Sequence, residues 1–150
     1  MIVRDREVIA DLARQCIEAW RRDLVDMQPR AAEPALDPEK REWLTEETAS
    51  VQDLVAQFDQ GKDPPFPDAP GLVVIHRLPR RAATPLEDAT LAAYQMILMA
   101  EALGLGTCFT GFFDPQATIS KEIHKVLTIP AKSESLMALT FGLRFGGGGW

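Results

Sequence analysis

Apolar side chains recur at three- and four-residue spacing at Val8, Leu12, Cys16, Ala19 and Trp20. That spacing lines one face of a helix. Val3 to Leu24 is therefore expected to enter as a short strand and continue as a helix. Asp5 is placed to cap the orphan amides of its first turn, and Arg21 and Arg22 suit the negative end of its dipole. Gln28 to Pro38, rich in proline, alanine and acid, reads as an exposed connection. Asp37-Pro38-Glu39-Lys40 then looks like a second helix start with proline in the first turn. Trp43, Thr48, Val51, Leu54, Val55 and Phe58 carry its face forward to Gly61, a suitable stop.

The period changes after that. Lys62 to Gly71 contains four prolines, which exclude regular structure. Leu72-Val73-Val74-Ile75-His76 follows as an unbroken apolar, β-branched run, the pattern of a strand covered on both faces. A basic loop from Arg77 to Ala83 leads to a sharply marked helix start. Thr84 and Glu87 stand at capping-box spacing, and Pro85 takes the first helical position. From Leu86 to Leu103 nearly every residue is apolar, so this helix is expected to be central and buried. Gly104-Leu105-Gly106 stops it, and a second apolar stretch runs from Thr107 to Phe113. Ser120 to Leu127 reads as a short helix, Ser135 to Gly142 as a last strand, and 146–150 as a flexible glycine tail.

Composition narrows the classes. The 150 residues suit a single domain, 1–150, with 46% hydrophobic and 25% charged residues at ordinary globular values. A net charge of -6 argues against a dedicated nucleic-acid binder, whose footprint is a basic patch. No apolar run approaches the roughly 20 residues that span a bilayer, and Met1 to Glu7 is too charged for a secretory signal, so the expected compartment is the cytoplasm. Two cysteines and two histidines give no metal-ligand spacing, and Cys16 falls on the core face of the first helix. His76 reads as a surface or satisfied histidine, His124 as a solvated one on a short helix, and Trp20 and Trp43 as core or dimer contacts.

The stretch from Leu91 through Met99-Ala100-Glu101-Ala102-Leu103-Gly104-Leu105-Gly106-Thr107-Cys108-Phe109-Thr110-Gly111-Phe112 resembles the central helix and following turn of the nitroreductase family. Asp68-Ala69-Pro70 ahead of the Leu72 to Ile75 run fits the same order. So do Ile123, Leu127, Ile129-Pro130 and Ala138-Leu139-Thr140-Phe141-Gly142 further along. The similarity is close from Phe66 to Gly142 and looser from Val3 to Trp20.

The resemblance implies an α+β, three-layer fold with a central, mostly antiparallel sheet, flanked by helices around the buried helix 85–103. It also implies a homodimeric FMN-dependent oxidoreductase with flavin at the subunit interface. The donor would be a nicotinamide or a protein, and the acceptor a nitroaromatic, a quinone or a similar compound. By position, Cys108, Phe109, Thr110 and Gly111 resemble the segment that lies against the flavin ring, with an amide of Thr110 or Gly111 near N5 and O4. Cys108 matches a buried position, which points to packing rather than redox chemistry. The bland alternative is that Gly104, Gly106 and Gly111 only shape turns.

Two family patterns are missing: Arg-x-Ser-x-Arg for the flavin phosphate, and Pro-Ser-x-x-Asn-x-Gln-Pro for the ribityl chain. Ile2 to Arg6 resembles the end of the strand that follows them. Arg144 is the nearby cation that would meet a phosphate, and is otherwise a solvated strand end. Two further expectations follow: a flavin-free, nitroreductase-like binding subunit, or a shortened copy of a longer flavoenzyme.

Overall fold

The computed structural model describes residues 1–33, 35–77, 84–110, 124–130 and 133–143. In chain order its elements are β1 (Ile2–Val3), α1 (Arg6–Ala31), α2 (Pro38–Asp59), β2 (Gly71–Arg77), α3 (Pro85–Ala102), β3 (Leu105–Thr110) and β4 (Glu134–Leu143). The four strands form one antiparallel sheet in the order β1-β2-β4-β3.

Local chemistry explains the element ends. Asp5 caps α1 as expected, its carboxylate accepting from the amides of Glu7 at 2.9 Å and Val8 at 3.5 Å. Asp37 does the same for α2, accepting from Glu39 at 3.1 Å and Lys40 at 3.3 Å. The capping box at α3 is not made. Thr84 forms no side-chain cap; its hydroxyl lies 3.5 Å from the Asp88 carboxylate, one turn on. Pro85 in the first turn and the acids Glu87 and Asp88 start the helix instead. α1 also runs past the expected connection to Ala31, with Pro29 inside it. Its amide-free nitrogen removes one helix bond near the end, where little of the helix remains to be broken.

Helices cover both faces of the sheet. On one side Ile9, Leu12, Ala13, Cys16 and Ala19 of α1 form a sealed cluster with Phe66, Leu72, Val74 and Ala138, closed by Leu127 and Ile129. Leu72 and Val74 alternate with Val73 and Ile75, so the latter pair faces away from this cluster. α3 contacts β2, β3 and β4, and its buried residues lie outside the α1 cluster, which places it across the opposite face. The α2 helix stacks on α1, where Leu44, Thr48, Val51 and Val55 are buried. The α+β architecture with its antiparallel sheet matches the expectation.

The expected burial of helix 85–103 is corrected. Within one chain only Ala89, Ala93 and Ala100 of α3 are buried, while Leu86, Leu91, Tyr94, Met96, Leu98 and Met99 are exposed. The alanines recur on one stripe and let the helix lie close against the sheet. A helix resting on one sheet has one covered side, and this sequence is apolar on the others too.

Candidate functional site

Gly104 ends α3 with φ +73, a left-handed conformation that favours glycine at a helix C-terminus. The chain then turns straight back into β3, which among the described residues is an edge strand bonded only to β4. The hydrogen-bond alternation can be followed across the whole sheet. Val74 exchanges both of its backbone bonds with Met1, at 2.9 and 2.8 Å, so its groups face β1. In an antiparallel ladder the alternate residues face the other neighbour. Val73 and Ile75 therefore bond Leu139 and Met137, which leaves Ala138, Thr140 and Gly142 to bond Thr110, Cys108 and Gly106. The N–H and C=O of Thr107 and Phe109 consequently point outward from the free edge.

Side chains at this edge differ sharply in surroundings. Phe109 is 51% exposed. Cys108 is exposed as well, with its thiol 3.3 Å from the Phe109 carbonyl. Its expected burial is thus corrected: among the described residues it stands at an edge with no further strand beside it. Thr110 is buried, and its hydroxyl oxygen has no hydrogen-bond partner among the described residues. Buried polar groups are nearly always paired, so this one asks for a partner. The Thr110 amide faces β4 rather than the open edge, so the expected approach of that amide to a ligand is not the geometry found. Gly111 and Arg144 lie outside the described residues. Thr140, which sequence reasoning passed over, is buried, and its hydroxyl donates to the Cys108 carbonyl at 3.4 Å. A lone hydroxyl inside the apolar run Ala138-Leu139-Thr140-Phe141 was the signal for it.

Glycine and proline shape the ground beneath the site. A Cβ on Gly71 would sit 2.2 Å from the Phe141 ring, and one on Gly142 would sit 2.9 Å from Pro70. The Phe141 ring therefore lies flat across β2, and Pro70 lies against β4.

Titratable groups elsewhere have structural explanations. Cys16 is fully buried, and burial, then the nearby Asp63 carboxylate, pushes its thiol up to about 12. Burial likewise raises the Asp63 carboxyl, against the lowering effect of backbone hydrogen bonds from Phe66 and Asp68. His76, expected as a surface or satisfied histidine, is half-buried, and its Nδ1 is buried without a partner among the described residues. Burial first, then the N-terminal ammonium and His124, holds its imidazole below the ordinary value. His124 is half-buried rather than solvated, Trp20 is half-buried, and Trp43 is exposed. Among the described residues no three metal-ligating side chains cluster, and no helix is long and apolar enough to cross a membrane.

The sequence model described as the nitroreductase family matches residues 1–143. The chain belongs to the nitroreductase family. Solved structures agree on the fold. A nitroreductase with bound FMN from Desulfitobacterium hafniense is 15% identical, with a TM-score of 0.63 over 99% of this chain and 66% of that one. An oxidized iodotyrosine deiodinase bound to FMN and 3-iodo-L-tyrosine is 18% identical, with a TM-score of 0.63 over 99% of this chain and 67% of that one. The FMN-dependent nitroreductase NfnB from Mycobacterium smegmatis, in complex with NADPH, is 15% identical, with a TM-score of 0.52 over 95% of this chain and 66% of that one. The nitroreductase chain thus spans about two-thirds of the length of such relatives, for example 67%, 61% and 66% of three of them. None of the curated proteins compared with it matches in sequence.

Proposed function

We propose that this chain is an FMN-dependent oxidoreductase of the nitroreductase type, working as a homodimer. It would pass electrons from a nicotinamide or protein donor to a nitroaromatic, quinone or similar acceptor. Family membership and the flavin-bound neighbours support a flavin oxidoreductase role. The observation that carries the reading to particular residues is the free edge of β3. There the outward backbone of Phe109 and its exposed ring sit beside an exposed apolar helix, while the buried Thr110 hydroxyl, unpartnered among the described residues, lies on the other face of the strand with Ala138.

The ring half of FMN fits these residues. Phe109 would offer one backbone donor and one acceptor to a polar ring edge, and its side chain an apolar contact. Thr110, whose hydroxyl lies on the α1 side of the strand, would border the ring next to Phe109. Cys108 lies on the same strand, and Gly111 follows it in sequence as the fourth residue proposed to hold the cofactor. When bound, FMN would supply two-electron, hydride-transfer chemistry between the donor and the acceptor. The chain's own part is to position that ring by backbone groups already fixed in a ladder and to keep water from it. The apolar flank of α3 serves the second purpose once it is covered.

Leu91, Tyr94, Leu98 and Met99 are exposed over more than two turns of α3, a contiguous apolar surface of the kind that marks an association site. A second copy of the chain is the proposed cover, bringing two α3 helices together and enclosing the flavin edge between them. A second reading is a flavin-free partner subunit of the same fold. The proposed setting is the cytoplasm, with which two free cysteines are in keeping.

FMN titration of the purified protein, followed by quenching of flavin fluorescence, separates the two readings. Saturable uptake, weakened about fivefold by Phe109→Ala through loss of its apolar contact, is the expected result. A chain that takes up no FMN at any concentration removes the oxidoreductase reading and leaves the flavin-free subunit.

A further inference from the structure

The proposed cofactor edge is only as well placed as the strand that carries it, and among the described residues β3 has a neighbour on one side alone. Edge strands are held by half as many ladder bonds as central ones and slip or fray more readily. The sequence of β3, Leu-Gly-Thr-Cys-Phe-Thr, adds glycine and small side chains, which specify register weakly. Something else must keep Phe109 facing out and Thr110 facing in.

We infer that Thr140 is a positioning residue for this site, holding β3 in register through the Cys108 carbonyl. Thr140 sits directly opposite Cys108 in the ladder. Its backbone amide faces that carbonyl by the alternation traced above, and its hydroxyl donates to the same oxygen at 3.4 Å. The carbonyl is thus gripped twice by one residue. The grip falls immediately before Phe109 and two residues before Thr110, the residues whose orientation the site needs. A slip of one residue would exchange their faces, burying the phenyl ring of Phe109 and turning the Thr110 hydroxyl away. Thr140 is 3% exposed, so its hydroxyl has no access to solvent as a substitute partner. β4 is bonded on both sides, which makes it the rigid member of the pair.

This inference rests on the proposed FMN reading, and the experiment separates the two. Thr140→Val keeps the shape and the strand preference while deleting the hydroxyl. Thr140→Ser keeps the hydroxyl and deletes the methyl. FMN dissociation constants and bound-flavin absorption spectra are measured for wild type and both variants, with melting temperature and dimer mass as controls. The expected result is about fivefold weaker FMN binding and an altered bound-flavin spectrum for Thr140→Val, with wild-type values for Thr140→Ser. A merely structural role would lower the melting temperature of both variants and leave the bound spectrum unchanged, which overturns the inference. Equal FMN binding by wild type and Thr140→Val overturns it too, with the cofactor reading intact. A wild-type chain that binds no FMN overturns both. Should Thr140→Val not fold, Thr140→Ala is read against Thr140→Ser by the same criteria.

Discussion

The two faces of the sheet are built from equally apolar sequence and end in opposite states. On the α1 side, Leu12, Cys16, Leu72, Val74 and Ala138 are almost wholly removed from water by one another. On the α3 side, only three alanines and the sheet beneath them are covered, and large side chains such as Leu91 at 64% and Met99 at 62% stand open. Hydrophobicity alone therefore does not say where a helix lies. It says that the helix will be covered, and the α1 face finds its cover within the chain. The α3 face finds little cover among the described residues, and the proposed cover is a second copy of the chain.

The sharpest way to test that contrast is a pair of substitutions. Leu12→Ala empties a sealed position and should cost about 2–5 kcal/mol of unfolding free energy, the ordinary range for a buried leucine, read by urea or thermal denaturation. Leu98→Glu alters an exposed position, so the chain should keep its secondary structure by circular dichroism. Its sedimenting mass should drop from two chains to one, because a charge at the centre of an apolar interface is left unpaired. If Leu98→Glu unfolds the chain as severely as Leu12→Ala without changing its association, α3 is core and the contrast fails.

The thiols mark the same divide. Cys108 should react with a water-soluble thiol reagent on mixing, whereas Cys16, buried and with its thiol pushed up to about 12, should wait for unfolding. A rate ratio on the order of a hundredfold or more is expected, since the thiolate is the reacting form. Bound FMN should slow Cys108 further, and equal rates for the two thiols would contradict the burial assigned to Cys16.

A smaller effect concerns acid. His76 has a folded value held below its ordinary 6.5, by burial first and then by the N-terminal ammonium and His124. As pH falls through 6.5 the unfolded chain takes up the proton before the folded one does, so stability declines from there down to the folded value and then levels. His76→Gln should flatten that stretch of the stability–pH curve. An unchanged slope would show that other groups produce it.

Much of the fold was legible because the relevant signals are local. Asp5 and Asp37 are capping residues whatever surrounds them, Gly104 stops α3 by its own backbone freedom, and the Leu72 to Ile75 run is a strand by composition. The candidate site was legible only by resemblance. Which amide of β3 faces outward depends on strand order and register, set by partners as distant as Met1 and Ala138, and no spacing within Cys108 to Thr110 carries it. Burial of α3 was misjudged for a related reason, since an apolar helix reads alike whether its cover lies in the same chain or in another. Thr140 went unnoticed because its role exists only across the ladder from Cys108.

The central claim is that α3 pairs with a second copy and that this pairing encloses a flavin at the β3 edge. Sedimentation velocity of FMN-loaded protein, monitored at both the protein and the flavin absorption bands, tests it in one run. The account predicts a single boundary at the mass of two chains carrying both signals. Flavin absorbance that stays behind with the free dye while the protein moves as one chain would contradict it.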